Sequence, residues 1–213
     1  MKAFLTILLL LPFGLISAQK IGEMAPDKPP MTFPNNAWGV DIMFGEGGFG
    51  LGTFYRHQLS DTFTGFADLS MSETKDEREV QYIDYFGNTY TPNKVNRSFQ
   101  IPVNFGIQYR MFRESITDSF RPYINVGVGP TFILTTPYDV EFFTAFKYTH
   151  MNYAVGGYIG IGSNIGISTS SLVGLNVRYY YCYVFGDGIE NLIGDFRKQI
   201  GQVAITLNIG LMY

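Results

Sequence analysis

Apolar and polar residues alternate with a period of two along most of this chain, which is the pattern of a β-strand with one apolar face. Between Ser98 and Met111 the alternation covers 14 residues without an exception, and it recurs from Gln202 to Tyr213. Strands of soluble proteins usually have about 5–6 residues, whereas a tilted strand that crosses a bilayer needs about 9–11. The length of the alternating stretches therefore favours strands that cross a membrane.

The periodicity predicts eight strands, and the fold class is accordingly all-β: a transmembrane, antiparallel, up-and-down β-barrel. Their predicted ranges are 36–45, 48–58, 62–72, 97–111, 121–135, 151–163, 171–184 and 200–213. The long connections at 73–96, 136–150 and 185–199 are expected at one end of the barrel. Within the first of them, Gly87 and Asn88 are typical of a tight turn and predict a hairpin that extends the third and fourth strands above the membrane.

Five charged residues lie on the small, polar face of their strands, opposite the aliphatic side chains: Asp41, Arg56, Asp68, Arg110 and Arg178. Because an arginine at the middle of a lipid-facing surface costs about 2–4 kcal/mol, the polar face must point into the barrel. An unpaired charge inside a narrow barrel is also costly. We therefore predict an ion-pair network in the lumen, with Asp41 and Asp68 as the nearest partners for Arg110 and Arg178.

A solute path through the same charges is the alternative interpretation. Eight strands enclose a space just wide enough for side chains, which favours a filled lumen with a structural network. Polar residues on the same face are expected to complete its hydrogen bonds: Gln100, Asn104, Gln108, Asn125, Asn176 and Asn208.

The domain organisation follows from the two ends of the alternating region. Residues 1–18 combine one positive charge, an apolar stretch and a small-residue end at Ala18, which predicts a cleavable signal peptide. Residues 19–35 are rich in proline and predict an irregular segment before the barrel, which is expected to span 36–213. The only cysteine, Cys182, leaves no partner for a disulfide within the chain.

Composition agrees with a barrel in lipid. The chain has 24 Gly, 19 Phe and 15 Tyr, and only 15% of its residues are charged, against about 25% in ordinary soluble domains. A mean hydropathy of +0.06 excludes a helical membrane protein, which needs long apolar runs. The net charge of −3 provides no basic surface for nucleic acid.

Three motifs are weighed as sites and left aside. Gly45 to Gly50 match G-x-G-x-x-G, but a strand pattern follows where a dinucleotide site needs a helix, so a tight turn is expected. The acidic stretch from Asp187 to Asp195 lacks the spacing of a calcium loop. The two histidines, His57 and His150, fall at opposite ends of the predicted barrel and cannot share a metal. No cofactor or metal is expected.

The pattern resembles the outer-membrane β-barrel family of small eight-stranded proteins from Gram-negative bacteria. The resemblance rests on the alternating strands, on the segment from Pro122 to Pro130 and on the aromatic last residue, Tyr213. It implies an outer-membrane location with both termini in the periplasm, contact with outer-membrane lipid, and insertion by the barrel assembly machinery. The residues that would form the signal for that machinery are Leu207, Ile209, Leu211 and Tyr213.

The family is functionally heterogeneous, so several functions remain open. The main expectation is a non-enzymatic barrel with a structural, adhesive or partner-binding role through its external loops. A small porin that passes ions or small solutes is the alternative. A lipid A-modifying enzyme is the third; its candidate groups near the outer leaflet are Ser70, Ser72, Glu141, Thr149 and His150.

Overall fold

Extended strands form wherever the sequence alternates, because one face of each strand is apolar and the other small or polar. The computed structural model describes residues 32–76, 78–116 and 119–213. In this part of the chain the strands are β1 Asn36–Gly45, β2 Gly48–Gln58, β3 Phe63–Thr74, β4 Tyr82–Ile83, β5 Thr89–Tyr90, β6 Asn96–Arg110, β7 Phe120–Pro137, β8 His150–Ser168, β9 Ser171–Val184, β10 Ile189–Leu192, β11 Asp195–Arg197 and β12 Gln199–Met212.

The eight long strands close into one barrel in the order β1-β12-β9-β8-β7-β6-β3-β2. Each pairs antiparallel with the next, and β1 meets β12 with Val40 opposite Ile209, which removes both sheet edges. The predicted fold class is confirmed. Strand β8 continues to Ser168, beyond its predicted end at residue 163, because the alternation persists through Asn164 and Ile165.

The barrel is apolar outside and polar inside. On β9, for example, the outward Val177 is 43% exposed, whereas the adjacent Asn176 and Arg178 are almost completely buried in the lumen. Aliphatic and aromatic side chains cover the outer face of every long strand, as lipid requires. A soluble barrel has the opposite arrangement, so the face assignment made from the charges is correct.

The two ends of the barrel differ. At one, called here the terminal end, the described chain enters β1 and leaves β12, and the turns at 59–62, 111–119 and 169–170 are found. At the other, called the loop end, the connections are 46–47, 75–95, 138–149 and 185–198. The first of these is a two-residue turn followed by Gly48, whose φ of +125° favours glycine. The G-x-G-x-x-G match is therefore a hairpin turn between two strands.

The connection from β3 to β6 contains the predicted hairpin. Strands β4 and β5 pair Tyr82 with Tyr90 and Ile83 with Thr89 around a turn that contains Gly87. They form a separate two-stranded sheet, so the expectation that the hairpin extends the barrel strands was wrong.

A short helix, α1 (Phe142–Ala145), lies in the connection from β7 to β8. Its Phe142 and the following Phe146 pack on Phe99, with ring centroids 6.2 Å and 5.7 Å apart, and cover this outward side chain of β6. Among the described residues, no helix has the length and apolar content needed to span a bilayer.

The predicted signal peptide at 1–18 and most of the proline-rich segment, 19–31, lie outside the described residues. Residues 32–35 form neither helix nor strand. Phe33 nevertheless packs against a buried apolar cluster at the terminal end that contains Phe54, Leu172 and Met212. The segment therefore enters the barrel mouth.

Candidate functional site: the filled lumen and its two ends

The centre of the lumen holds an ion-pair cluster of Asp41, Asp68 and Arg178, called here the charge cluster. Arg178 Nη2 lies 3.0 Å from Asp41 Oδ2, and its Nη1 lies 3.8 Å from Asp68 Oδ2. All three side chains are at most 2% exposed. The Asp41 contact is an ion pair without the alignment of a linear hydrogen bond. One arginine thus joins β9 to β1 and β3 across the lumen.

Tyrosines and amides satisfy most of the remaining polar atoms of the cluster. Tyr158 donates its hydroxyl proton to Asp68 Oδ2 at 2.7 Å, and Asn104 Nδ2 donates to Asp68 Oδ1 at 3.0 Å. Asn208 Nδ2 donates to Asp41 Oδ1. Arg178 Nη1 donates to the Tyr180 hydroxyl at 3.0 Å. Such extensive pairing is what allows ions to be buried at tolerable cost.

The structure corrects the predicted membership of this network. Arg56 is also buried, but it donates to Asn164 Oδ1 at 3.0 Å and stacks over the Phe54 ring at 4.4 Å. Arg110 lies at the end of β6 and donates to the Ile116 carbonyl oxygen at 3.2 Å. Both arginines therefore lie towards the terminal end, because strand phase specifies a face but not the position along the barrel axis.

Towards the loop end the lumen becomes apolar. Above the charge cluster, Gln202 donates to Ser72 across the lumen at 3.1 Å. Beyond this pair lies a buried apolar cluster, and its members are Ile133, Ala154, Cys182, Val184, Ile189 and Ile200. Ile189 comes from the connection between β9 and β12, so a loop residue folds back into the mouth of the barrel. Side chains thus fill the lumen from its centre to this end.

Two long connections are tied together over that mouth. Lys94 Nζ lies 2.6 Å from Glu79 Oε2, and both side chains are nearly buried. Asn191, from the other connection, donates to Glu79 Oε1 at 3.3 Å, while its carbonyl oxygen accepts from the Val95 amide at 2.8 Å. The connection from β3 to β6 and the connection from β9 to β12 therefore form one unit.

Asp76 is the second tie between these connections. Its Oδ2 lies 2.9 Å from Arg197 Nε, and its Oδ1 lies 3.1 Å from Arg78 Nε. Burial raises the pKa of Asp76, but hydrogen bonds from Arg78 and the charge of Arg197 outweigh it, so the pKa lies below its ordinary value. Arg78 also pairs with Asp195, which extends the network to β11.

Above this unit, the loop end displays large exposed aromatic residues. The β4–β5 hairpin carries Tyr85 and Phe86 at its tip, which are 99% and 86% exposed. The Asp84 carboxylate accepts hydrogen bonds from the Phe86 and Asn88 amides, both at 2.8 Å, and these bonds fix the tip. Phe143 on α1 is 78% exposed. The hairpin tip and α1 thus each present exposed aromatic side chains at this end of the barrel.

The terminal end contains a cavity of about 780 Å³. Its walls include the ends of β6 and β7, and three arginines line it: Arg110, Arg113 and Arg121. Arg121 stacks on the Phe33 ring, with the guanidinium carbon 3.7 Å from the ring centroid.

The described residues that were considered for an enzyme lie in different surroundings. Ser70 and Ser72 are buried in the lumen, whereas His150 is exposed at the start of β8. Glu141 caps helix α1 through the Phe143 and Thr144 amides. The Glu141 pKa is lowered chiefly by the Thr144 backbone hydrogen bond, which also suits a cap more than a proton donor.

Polar side chains in the acidic stretch of the last long connection already bind other groups of the protein. Asp195 pairs with Arg78, Asn191 bridges to Glu79, and Glu190 accepts from the Gly194 amide at 2.6 Å. In the described part of the chain, no group of three or more His, Cys, Asp or Glu is arranged to hold a metal ion.

The predicted residues of the C-terminal signal lie on the outer face of β12 and just beyond it. Ile209, Leu211 and Tyr213 are 42%, 56% and 60% exposed, as lipid-facing side chains are. Trp38 is 51% exposed at the same end.

Sequence reasoning missed two important groups. Tyr158 was not assigned to the lumen, although its place in phase with Gly156 and Gly160 is a signal that it points inward. The Lys94–Glu79 pair joins residues of a connection in which the sequence has no periodic pattern, so no signal identified it.

Neither a family model nor a curated protein matches this sequence. Several solved structures are similar in fold. The N-terminal β-barrel domain of Pseudomonas aeruginosa OprF is 12% identical, with 84% of this chain and 98% of that chain covered and a TM-score of 0.46. Neisserial surface protein A is 10% identical, with 84% and 95% covered and a TM-score of 0.49. The outer membrane protein AlkL is 14% identical, with 90% and 95% covered and a TM-score of 0.41.

Proposed function

We propose that this chain is a non-enzymatic barrel of the outer membrane that binds a partner through its external loops. The observation that carries the proposal is the contrast between the lumen and the loop end. From its centre to the loop end, the lumen is filled by the charge cluster and the apolar cluster above it. The loop end is ordered by buried ion pairs and displays exposed aromatic side chains. A conducting barrel needs an open lumen.

Large exposed aromatic residues on connections that are held by ion pairs and hydrogen bonds are suited to binding a partner. Tyrosine and phenylalanine side chains bury a large area on contact and are enriched at protein interfaces, and tyrosine is also frequent among the residues that dominate binding energy. Tyr85 and Phe86 lie at the tip of the hairpin, where both side chains are almost fully exposed. We assign the main contact surface to this tip, called here the hairpin tip.

The orientation is tested first, by cysteine labelling on intact cells. Cys182 is fully buried, so the unaltered protein provides a silent background. A membrane-impermeant maleimide should label Tyr85→Cys on intact cells. It should label Glu114→Cys, in the turn at 111–119, only after the outer membrane is made permeable. Labelling with the opposite pattern would overturn the proposed orientation, and with it the role of the loops.

The binding role is tested by adherence of cells that express the protein. We expect expression to increase attachment of a non-adherent strain to a hydrophobic surface or to other expressing cells. The double change Tyr85→Ser with Phe86→Ser should abolish the increase. The matched control is Phe112→Ser, which removes an aromatic residue that is 64% exposed at the terminal end. Equal adherence of all three proteins, each at the same level in the outer membrane, would contradict the proposal.

A further inference from the structure

We propose that the cavity at the terminal end binds a small soluble oxyanion, a multiply charged carboxylate or phosphate, through Arg110 and Arg121. This site is separate from the loop surface that carries the proposed function. It lies at the opposite end of the barrel, with the charge cluster between them.

The first observation is an excess of positive charge. The cavity and the small recess behind it are lined by four arginines, Arg56, Arg110, Arg113 and Arg121, and by two carboxylates, Asp61 and Glu114. Asp61 is already paired with Arg113 at 2.6 Å. Glu114 lies in the turn at 111–119 and is exposed. Among the described residues that line the cavity and the recess, arginines therefore outnumber carboxylates.

The second observation concerns the partners of these arginines. Within the described residues, no carboxylate lies within 4.0 Å of Arg56, Arg110 or Arg121. Arg110 donates to a neutral carbonyl, Arg56 donates to a neutral amide, and Arg121 donates to the Met212 sulfur at 3.6 Å. Among the described residues, no group accepts a hydrogen bond from the Nε atom of Arg110 or of Arg121. Arginine groups held in this way are ready to accept an anion.

The volume and the lining groups of the cavity also suit a small ligand. Its volume of about 780 Å³ falls within the range of about 300–1,000 Å³ that is usual for small-molecule sites. The Phe33 ring holds the Arg121 guanidinium from one side, and this contact limits the motion of a long side chain. Amide side chains of Gln58, Gln108 and Asn164 line the same walls and add further hydrogen-bonding groups.

The position of the cavity selects the class of ligand. Arg110 and Arg121 lie inside the ring of strands, so the barrel wall separates them from the surrounding lipid. A lipid headgroup would have to leave the bilayer and enter through the barrel mouth. A soluble anion enters directly. The planar guanidinium group matches the paired oxygens of carboxylates and phosphates.

The test is calorimetric titration of the full folded chain in a zwitterionic detergent, with citrate and inorganic pyrophosphate as probes and sodium chloride at matched ionic strength as reference. We expect saturable binding of at least one probe and none of chloride. Arg121→Gln and Arg110→Gln should each weaken binding about tenfold or more. Lys147→Gln removes one exposed positive charge at the loop end and should leave the affinity unchanged. Heat-dependent migration on a denaturing gel verifies that each variant is folded.

Three outcomes would overturn the inference. One is the absence of saturable binding by the unaltered protein. Another is equal weakening by Lys147→Gln, which would mean that the probes respond to overall charge. The last is binding whose affinity is unchanged in Arg110→Gln and Arg121→Gln, which would place the anion away from these two arginines.

Discussion

Arg178 and Asp41 form an ion pair in the middle of the lumen, with Nη2 and Oδ2 3.0 Å apart and both side chains 1% exposed. The residues lie on β9 and β1, which are separated in the barrel wall by β12. Their contact, together with that of Arg178 to Asp68, connects opposite parts of the wall through the interior. These ion pairs therefore join strands that the backbone hydrogen bonds of the barrel do not pair directly.

Removal of the arginine should destabilise the barrel strongly. Arg178→Met leaves two buried carboxylates without a counter-charge, which should lower the free energy of unfolding by about 3–5 kcal/mol. Urea titration of the protein folded in lipid vesicles measures this. Arg113→Gln is the control, because its pair with Asp61 is exposed and should contribute about 0–1 kcal/mol. Equal stability of the Arg178 variant and the parent would contradict a structural role for the pair.

An arginine should destabilise the barrel when it is placed at the preceding residue, Val177, on the outer face. Val177→Arg places a charge in the lipid at the level of the charge cluster and should cost about 2–4 kcal/mol. Leu211→Arg, on the same face near the terminal end, should cost about 0–1 kcal/mol because the interface is close. Both are measured by unfolding in vesicles. Similar costs at the two positions would mean that the apolar belt is not centred at Val177.

The unaltered protein should not conduct. The charge cluster and the apolar layer around Ile189 both obstruct the lumen, so we expect no steady conductance in planar lipid bilayers. Arg178→Met should also be silent, because Tyr158 and Tyr180 still fill the centre. A general diffusion porin serves as the positive control. A stable open channel in the unaltered protein would favour the small-porin alternative.

The unit formed by the long connections should open in acid. Because the pKa of Asp76 is lower in the folded protein than its ordinary value of 3.8, its ion pairs stabilise the unit fully above that value. The stabilisation is lost as the pH falls through the lower, folded pKa. Cleavage of the connection by pepsin, followed from about pH 5 to about pH 2, should rise in this range.

The variant Asp76→Asn provides the control for this acid response. It lacks the titrating group, so its connection should be cut faster than that of the parent at the start of the range, and the ratio of the two cleavage rates should fall towards one as the pH decreases. The ratio removes the pH dependence of pepsin itself. A ratio that is independent of pH would contradict the role of Asp76.

The sequence alone determined the fold, because the period of two records which side of each strand meets lipid. Strands β1, β2 and β9 have the bounds that the alternation predicted, and the phase of Asp41, Asp68 and Arg178 identified the lumen face. A charged side chain on the lipid face destabilises the barrel, so the alternation is strict and can be recognised from the sequence.

Only the tertiary structure decided which interior groups meet. Arg110 and Arg178 have the same phase in the sequence, yet Arg178 lies in the charge cluster and Arg110 at the terminal end. Height along the axis depends on strand tilt and stagger, which arise when the barrel closes. The ties between Glu79, Lys94 and Asn191 join connections that are far apart in sequence. They form because closure brings those two connections over one mouth, a relationship that no local pattern contains.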